Sequence, residues 1–346
     1  MTAESAPSAR ARVSIVVTNH NYAAFVADAV ESALAQQGAP VEVVVVDDGS
    51  TDDSPVVLAP YASRVNVIRQ PNGGQAAAFN SGWARSSGDV VIFLDADDLL
   101  EPDLAARVLD AFDRDPSVAK VQYPLHLIDA DGHRCSGRVP AAGVRLAAGD
   151  VRDQLTRHPD DLVWMPTTGN AFRADVLARI MPMPTAEYRI CADYYLSNLT
   201  AAHGRVAVLD RPGGSYRIHG DNRHYADHWS MDAVRANVAR TSATHRHLIA
   251  ECRRIGLGGL PNDPDAVRSV TATAFRMVSL RLDARRHPLA GDTRRGLTRL
   301  GLAAALGRHD LSTLRRAEMA AWFVAAGVAP RFAIPRLARP LVRTTP

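Results

Sequence analysis

The stretch FLDADDLLEPD (93–103) places five carboxylates in eleven positions, directly after the apolar run DVVIFLD (89–95). Residues i and i+2 of an extended segment point to one side, so Asp95 and Asp97 converge while Ala96 turns away. Two converging carboxylates repel unless a cation lies between them, and a hard divalent ion that also holds phosphate oxygens meets that need. Glu101 and Asp103 have another reading. They flank Pro102 ahead of the helically spaced DLAARVLDAF, where acidic residues complement a helix start. A second acidic loop, DDGSTDDS (47–54), follows the apolar run VEVVVVD (41–47). Asp/Ser capping of the next helix explains Thr51 and Asp52 but not Asp48, which stands at a strand end where a carboxylate can accept the N–H of a nucleobase.

These loops need a scaffold that brings strand ends together. Apolar runs alternate with helical patterns: VSIVV (13–17), AAFVADAVESALAQ (23–36), VEVVVVD (41–47), RVNVIR (64–69), GQAAAFNSGWARSS (74–87) and DVVIFLD (89–95). Continuous Val/Ile strands separated by helices predict a mostly parallel sheet covered on both faces. Such sheets bind ligands beyond the carboxyl ends of their strands, which is where the acidic loops fall. From 118 to 172 the pattern is less regular, with a hairpin expected around DADGHR (129–134) and insertion loops rather than a further βα unit. Residues 173–203 read as helical, GGSYRIHG (213–220) as a short strand and 231–325 as several helices.

The 346-residue chain is 47% hydrophobic and 22% charged, the composition of a globular protein. No run reaches membrane-spanning length, and VSIVV is too short for a signal segment. Cys135, Cys191 and Cys252 are odd in number and widely separated, which argues against a disulfide framework or a zinc site and for a cytoplasmic setting. The net charge of +3 hides an asymmetry, because residues 231–346 carry 20 basic against 8 acidic side chains. Lys120 is the only lysine among 40 basic residues, a bias expected of a GC-rich coding sequence. There is neither a G-x-G-x-x-G after the first strand nor a P-loop motif, so dinucleotide and P-loop readings lose their phosphate cradle.

Taken in order, VSIVVTNHNYAAFVADAVESALAQ, VEVVVVDDGSTDDS, NGGQAAAFNSGWARSSGDVVIFLDADDLLEPD, TGNAFR, ADYYL and YRIHG resemble the inverting family 2 glycosyltransferases of GT-A fold, over about residues 12–222. The resemblance implies an α/β fold of the nucleotide-diphospho-sugar transferase type with a C-terminal α-helical region. It divides the chain into a flexible N-terminus (1–11), a GT-A domain (12–230) and a basic helical region (231–346), with the boundary near 228–235. It further implies metal-dependent, inverting transfer from a UDP- or dTDP-sugar to the hydroxyl of a glycan, a lipid-linked acceptor or a small molecule, with Mn²⁺ or Mg²⁺.

Position by position, the resemblance assigns Thr18 and Asn21 to the nucleotide-contacting first loop and Asp48 to the uracil or thymine edge. Asn72, Gly73, Gly74 and Asn80 match the segment beside the nucleotide. Asp95 matches the ribose- and sugar-side acid and Asp97 the metal ligand. The family's acidic pair over the sugar reads ICADYYL here, so Ala192 replaces the first acid and Asp193 remains as base or as helix cap, with Glu187 next in line. Arg217 matches a segment that closes over the diphosphate, and His219 is either a metal ligand alongside Asp95 and Asp97 or structural. Trp164, Thr168 and Gly169 match the acceptor-side loop, where Trp164 either stacks on a sugar or packs in the core.

Two other functions compete. A sugar-phosphate nucleotidyltransferase shares the sheet but wants a Gly-rich basic loop that TNHNYAAF lacks, and a non-catalytic nucleotide-sugar binding protein has only Ala192 in its favour. The basic C-terminal helices suit a solvated face, a homodimer interface or peripheral contact with an anionic inner-membrane leaflet. No signature of nucleic-acid binding accompanies them.

Overall fold

A computed structural model describes residues 12–220 and 230–342, so the expected flexible N-terminus lies outside the described residues, as does part of the expected boundary at 228–235. The chain forms two compact units, one of residues up to Asp150 together with Trp164–His219, the other of Val151–Val163 together with the chain from Gly220 onward.

The first unit opens with β1 (Val13–Asn19), α1 (Val26–Leu34), β2 (Val41–Asp47), α2 (Ser54–Leu58), β3 (Asn66–Arg69), α3 (Gln75–Trp83) and β4 (Val90–Asp95). It continues through β5 (Leu99–Leu100), α4 (Leu104–Arg114), β6 (Val118–Gln122), β7 (Leu125–Ile128) and β8 (Arg134–Val139). After α5 (Arg152–Arg157), which belongs to the second unit, come β9 (Asn170–Arg173), α6 (Ala174–Ile180), α7 (Ala192–Ala201), β10 (Arg205–Val208) and β11 (Gly214–Arg217). Seven strands form the main sheet in the order β10-β6-β9-β4-β1-β2-β3, and β5-β11-β7-β8 form a smaller one.

β1, β2, β3 and β4 are mutually parallel, as their unbroken Val/Ile runs require, and Val13–Val17 and Val90–Leu94 are buried throughout. The hairpin forms where DADGHR predicts it, between β7 and β8. The segment 118–172 departs from expectation: it supplies β6 and β9, and β9 runs antiparallel between β4 and β6. Strands of five and four residues are too short to display a period, which is why the pattern there reads as loop. Helix α4 also begins later than Pro102 suggests. Asp103 sits at its N-cap position but pairs with Arg107 at 3.0 Å and Arg211 at 3.2 Å instead of capping, while Glu101 pairs with Arg134 at 3.2 Å.

The second unit contains α8 (Met231–Arg254), α9 (Val270–Leu282), α10 (Arg294–Leu306), α11 (Thr313–Val328) and α12 (Ile334–Val342). Ser230, Ser269, Thr293 and Ser312 cap the first four through side-chain oxygens, each satisfying a backbone N–H that the helix leaves unpaired. Gly301 is required in α10, because a Cβ there would stand 2.2 Å from the buried ring of Phe323. Leu314, Val324, Val328 and Phe332 point outward, the last two 80% and 81% exposed. Among the described residues no helix is long and apolar enough to cross a membrane.

Candidate active site

The site is built at the carboxyl ends of β1 and β4, where Thr18 is in register with Asp95 and its carbonyl accepts the Ala96 N–H at 3.2 Å. The backbone after Asp95 is a tight turn, closed by Asp98 N–H on the Asp95 carbonyl at 3.1 Å, and not the extended segment that the i, i+2 argument assumes. The outcome for the side chains is nevertheless alternating: Asp95 and Asp97 are half-buried, while Ala96 and Asp98 are buried. Asp98 was not singled out by the sequence. Its carboxylate accepts the Thr168 hydroxyl at 2.6 Å and the Arg217 N–H at 3.0 Å, and burial together with Asp97 and Asp95 pushes its pKa well above the usual carboxylate range.

His219 places Nε2 3.0 Å from Asp97 Oδ2, and its ring packs against Phe25 and Tyr22 at centroid distances of 4.9 and 5.6 Å. Arg217 is 1% exposed and its guanidinium is spent inside the protein. It donates to the Asp97 carbonyl at 2.8 Å, the Ala130 carbonyl at 2.9 Å and Asp28 at 3.1 Å, and lies over the Phe25 ring. Its expected place over a diphosphate is therefore corrected to a clamp that fixes the turn bearing Asp97. Thr168 is fully buried, bridging Asp98 and the Asp95 N–H (3.3 Å). Gly169 gives its carbonyl to Tyr123 N–H at 3.0 Å, and a Cβ there would stand 2.7 Å from that of Met165. Both residues thus buttress the acidic turn from below and do not face an acceptor.

Asp193 enters from α7. Cys191, in the left-handed region with φ 58°, holds the N-cap position and Asp193 lies half-buried in the first helical turn. Ala192 is fully buried and supplies no second carboxylate. Burial, then Asp97, then Asp193 push the Asp95 carboxyl up to about 7, which places Asp193 in the same electrostatic cluster. Gln75 joins the two elements: its Nε2 approaches Asp95 Oδ1 at 3.4 Å and Thr167 Oγ1 at 3.1 Å, while its Oε1 accepts the Ala192 N–H at 2.9 Å. A lone glutamine opening a small-residue helix carries no signal by which sequence reasoning could find it. Trp164 is half-buried, with Nε1 3.4 Å from Asn198 Oδ1 and Lys120 Nζ 4.2 Å from its ring centroid.

On the β2 side, Asp48 accepts hydrogen bonds from Gln70 Nε2 (2.7 Å), Gly73 N–H (2.9 Å) and Gly74 N–H (2.7 Å). It is therefore the fastening of the Asn72–Gly74 loop, and Oδ2 keeps one lone pair for a further donor. Gly74 has φ 86°, and a Cβ would stand 2.8 Å from the Arg189 backbone. Asn21, at φ 62°, takes the Thr51 N–H on Oδ1 at 2.7 Å, a left-handed position that asparagine tolerates. Asn72 links the His20 ring at 2.9 Å to Arg189 at 2.8 Å. Asn80 has a different part: its amide is bonded reciprocally to Met183 N and O, both at 2.9 Å, so it ties α3 to the loop before α7.

Half-buried carboxylates at 95 and 97 with an imidazole beside the second form an oxygen-rich donor set suited to Mg²⁺ or Mn²⁺. The tightest trio of potential ligands among the described residues lies elsewhere, at Asp129, Asp131 and His133 in the β7–β8 turn, where their atoms come within 4.8 Å. There Asp129 Oδ1 already accepts the Asp131 and His133 N–H groups at 3.0 and 2.8 Å, the pattern of a self-capped turn.

A parallel sheet that ends in an acidic turn, faced by a carboxylate from a separate helix, is the architecture of the GT-A glycosyltransferases. The family model for glycosyl transferase family 2 matches residues 14–134. An uncharacterized glycosyltransferase of Nostoc sp. is 32% identical over 255 residues, covering 71% of this chain and 77% of that protein. Chondroitin synthase of Escherichia coli is 39% identical over 127 residues, 36% of this chain and 18% of that enzyme. Among solved structures, S. aureus TarS 1–349 in complex with UDP-GlcNAc is similar in fold, with a TM-score of 0.57, 16% identity, and 95% and 92% of the two chains covered. The chain belongs to glycosyl transferase family 2.

Proposed function

We propose that the protein transfers a sugar from a UDP- or dTDP-sugar to an acceptor hydroxyl with inversion at the anomeric carbon. The observation that carries this reading is the pairing of His219 with Asp97 in the acidic turn after β4, where the Asp95 carboxyl is raised by burial, by Asp97 and by Asp193. Asp97, Asp95 and His219 are the residues that hold a Mn²⁺ or Mg²⁺ ion, which when bound offsets negative charge on the departing diphosphate. TarS, the fold neighbour, has been solved with UDP and with UDP-GlcNAc, and this supports a uridine nucleotide as the first donor to test. The nucleotide lies along Thr18, Asn21, Asn72 and Gly74, with the remaining lone pair of Asp48 for the base N–H. Asp193 takes the proton of the acceptor hydroxyl as its oxygen attacks, and Trp164 flanks the acceptor. Inversion needs a single base opposite the leaving group, so the replacement of the neighbouring acid by Ala192 does not disable the reaction. A thermal-shift screen of nucleotide sugars with Mn²⁺, followed by an assay of nucleoside diphosphate release, tests the reading. Stabilisation without release would favour a binding protein.

The partner of the helical unit belongs to the same proposal. From residue 293 to 342 nine arginines stand against Asp310 and Glu318, and the outward apolar side chains Leu314, Val324, Val328 and Phe332 share that region. Cationic and apolar groups together favour an anionic leaflet, on which such helices lie without spanning it. A homodimer is the second use of the same face, and a peripheral position on the inner membrane face follows only from the first.

A further inference from the structure

Gln75 opens α3, and the turn it opens is bonded to the chain that leads into α7. A helix leaves its first N–H groups unpaired, and no side chain caps α3. The Gln75 N–H donates instead to the Arg189 carbonyl at 2.9 Å, and the Ala76 N–H to the Tyr188 carbonyl at 3.1 Å. The Arg189 guanidinium reaches back to the Gly73 carbonyl at 3.2 Å. Backbone therefore lies directly on backbone here, which is why the Cβ that Gly74 lacks would have no room beside Arg189.

The Gln75 side chain extends the same junction to the acidic turn. Its Oε1 accepts the Ala192 N–H at 2.9 Å, at the first residue of α7 and next to Asp193. An N–H can only donate, so that contact fixes which end of the amide is oxygen. Nε2 is thereby left to face Thr167 Oγ1 at 3.1 Å and Asp95 Oδ1 at 3.4 Å, and the buried Thr167 hydroxyl hydrogen-bonds the same Asp95 carboxylate. Thr167 stands just ahead of β9, so three segments distant in sequence meet on one amide. The junction asks for an accepting end and a donating end on one stem. Ionised glutamate has no donor, methionine has neither group, and asparagine is shorter by one methylene.

We propose that Gln75 is a positioning residue of the transfer reaction: it sets the first turn of α7, and with it Asp193, at a fixed separation from the Asp95 side of the acidic turn. The inference rests on Asp193 being the base and on Asp95 lying beside the donor, and it adds a group that acts through Ala192 and Asp95 and not on a substrate. An acceptor oxygen attacks over a narrow range of distances and angles, and a misplacement of about 1 Å costs on the order of 10²-fold in rate. One amide bonded to both sides removes that freedom before any substrate arrives. Gln75 therefore serves the chemical step, while donor binding falls to the Asp48 loop and to Asp97.

Two measurements on the full-length protein test this. Gln75→Met keeps the length of the side chain and removes both ends of the amide. In hydrogen exchange resolved at Ala192, without ligand, that amide should exchange roughly tenfold to a hundredfold faster than in wild type, the effect of losing one such bond. With Mn²⁺ and the nucleotide sugar selected by thermal shift, UDP-GlcNAc first, kcat for nucleoside diphosphate release should fall about tenfold to a hundredfold while KM stays within about twofold. An Ala192 amide that exchanges as in wild type overturns the proposal, and so does a loss confined to KM or an unchanged kcat in a variant whose Ala192 amide is freed. Should Gln75→Met not fold, Gln75→Asn, with the same groups on a shorter stem, takes both measurements with the same expectations. The two readings fail separately. A wild type that releases no nucleoside diphosphate from any nucleotide sugar removes the transfer reaction and this proposal with it, whereas a wild type that turns over beside a Gln75→Met protein of equal kcat removes the role of Gln75 alone.

Discussion

His219 Nε2 stands 3.0 Å from Asp97 Oδ2, although 122 positions separate the two residues in the chain. The imidazole is buried, and Phe25 and Tyr22 hold its ring, so its orientation toward Asp97 is fixed before any ligand arrives. A metal held here should stabilise the protein measurably. At about 100 times its Kd a ligand adds roughly 2.7 kcal/mol, and in Asp97→Ala most of that gain from Mn²⁺ with UDP should vanish, with a smaller loss in His219→Ala. Full Mn²⁺-dependent stabilisation of Asp97→Ala in thermal melts would remove Asp97 from the metal site.

Asp193→Asn preserves side-chain size and cannot take a proton. Turnover should fall by about 10²–10⁴-fold while UDP binding, measured by calorimetry, stays near the wild-type value. A variant close to wild type in rate would send the search for the base to Glu187.

The displaced Asp95 carboxyl makes stability depend on pH in a defined direction. With a native value of about 7 against an ordinary 3.8, the folded protein keeps a proton across that interval which the unfolded chain has already released. Stability attributable to this group is therefore full below about pH 4 and is lost as pH rises toward 7, at up to about 1.4 kcal/mol per unit. Asp95→Asn should flatten that slope and melt above wild type at pH 7.5 without metal. Identical pH slopes in denaturant unfolding of the two proteins would contradict this account.

Asp48→Asn keeps Oδ1 for Gln70 and Gly73 but replaces the Oδ2 acceptor of Gly74 N–H by an NH₂ group. Losing one buried hydrogen bond costs about 1–3 kcal/mol, and the loosened Asn72–Gly74 loop should weaken UDP more than Mn²⁺. Unchanged UDP affinity would confine Asp48 to a purely architectural task.

Co-sedimentation with vesicles tests the helical unit. Each arginine near an anionic surface contributes about 1 kcal/mol, so the full chain should pellet with anionic vesicles at low salt, release as salt rises, and ignore neutral ones. Replacing Val328 and Phe332 by serine should weaken the binding. Absence of any salt-sensitive difference would leave the face to a second copy, which sedimentation velocity would reveal.

The parts of this molecule legible in sequence are those with a long period or a strong local rule. β1, β2 and β4 declare themselves by unbroken branched residues, and Asp95 and Asp97 by position at a strand end. Legibility fails where the reason for a residue is a partner far along the chain. Arg217 reads as a phosphate ligand, yet Asp97, Ala130 and Asp28 take its donors; Asn80 reads as a nucleotide contact, yet Met183 takes both ends of its amide. Thr168 and Asp98 find one another across 70 residues, and Gln75 finds Ala192 across 117. Spacing rules speak only of neighbours within a turn or a strand, so such pairings leave no trace in them.

The antiparallel placement of β9 between β4 and β6 ties the acidic turn to a long connection of the chain. Because Asn170 begins β9 opposite Gln122, the chain leaves the sheet after β6 and re-enters it at the same margin, beside the end of β4. The connection between those two points returns to the sheet through Thr168, which bridges Asp98 and the Asp95 N–H, so a change of length at that exit would move the support of the acidic turn itself.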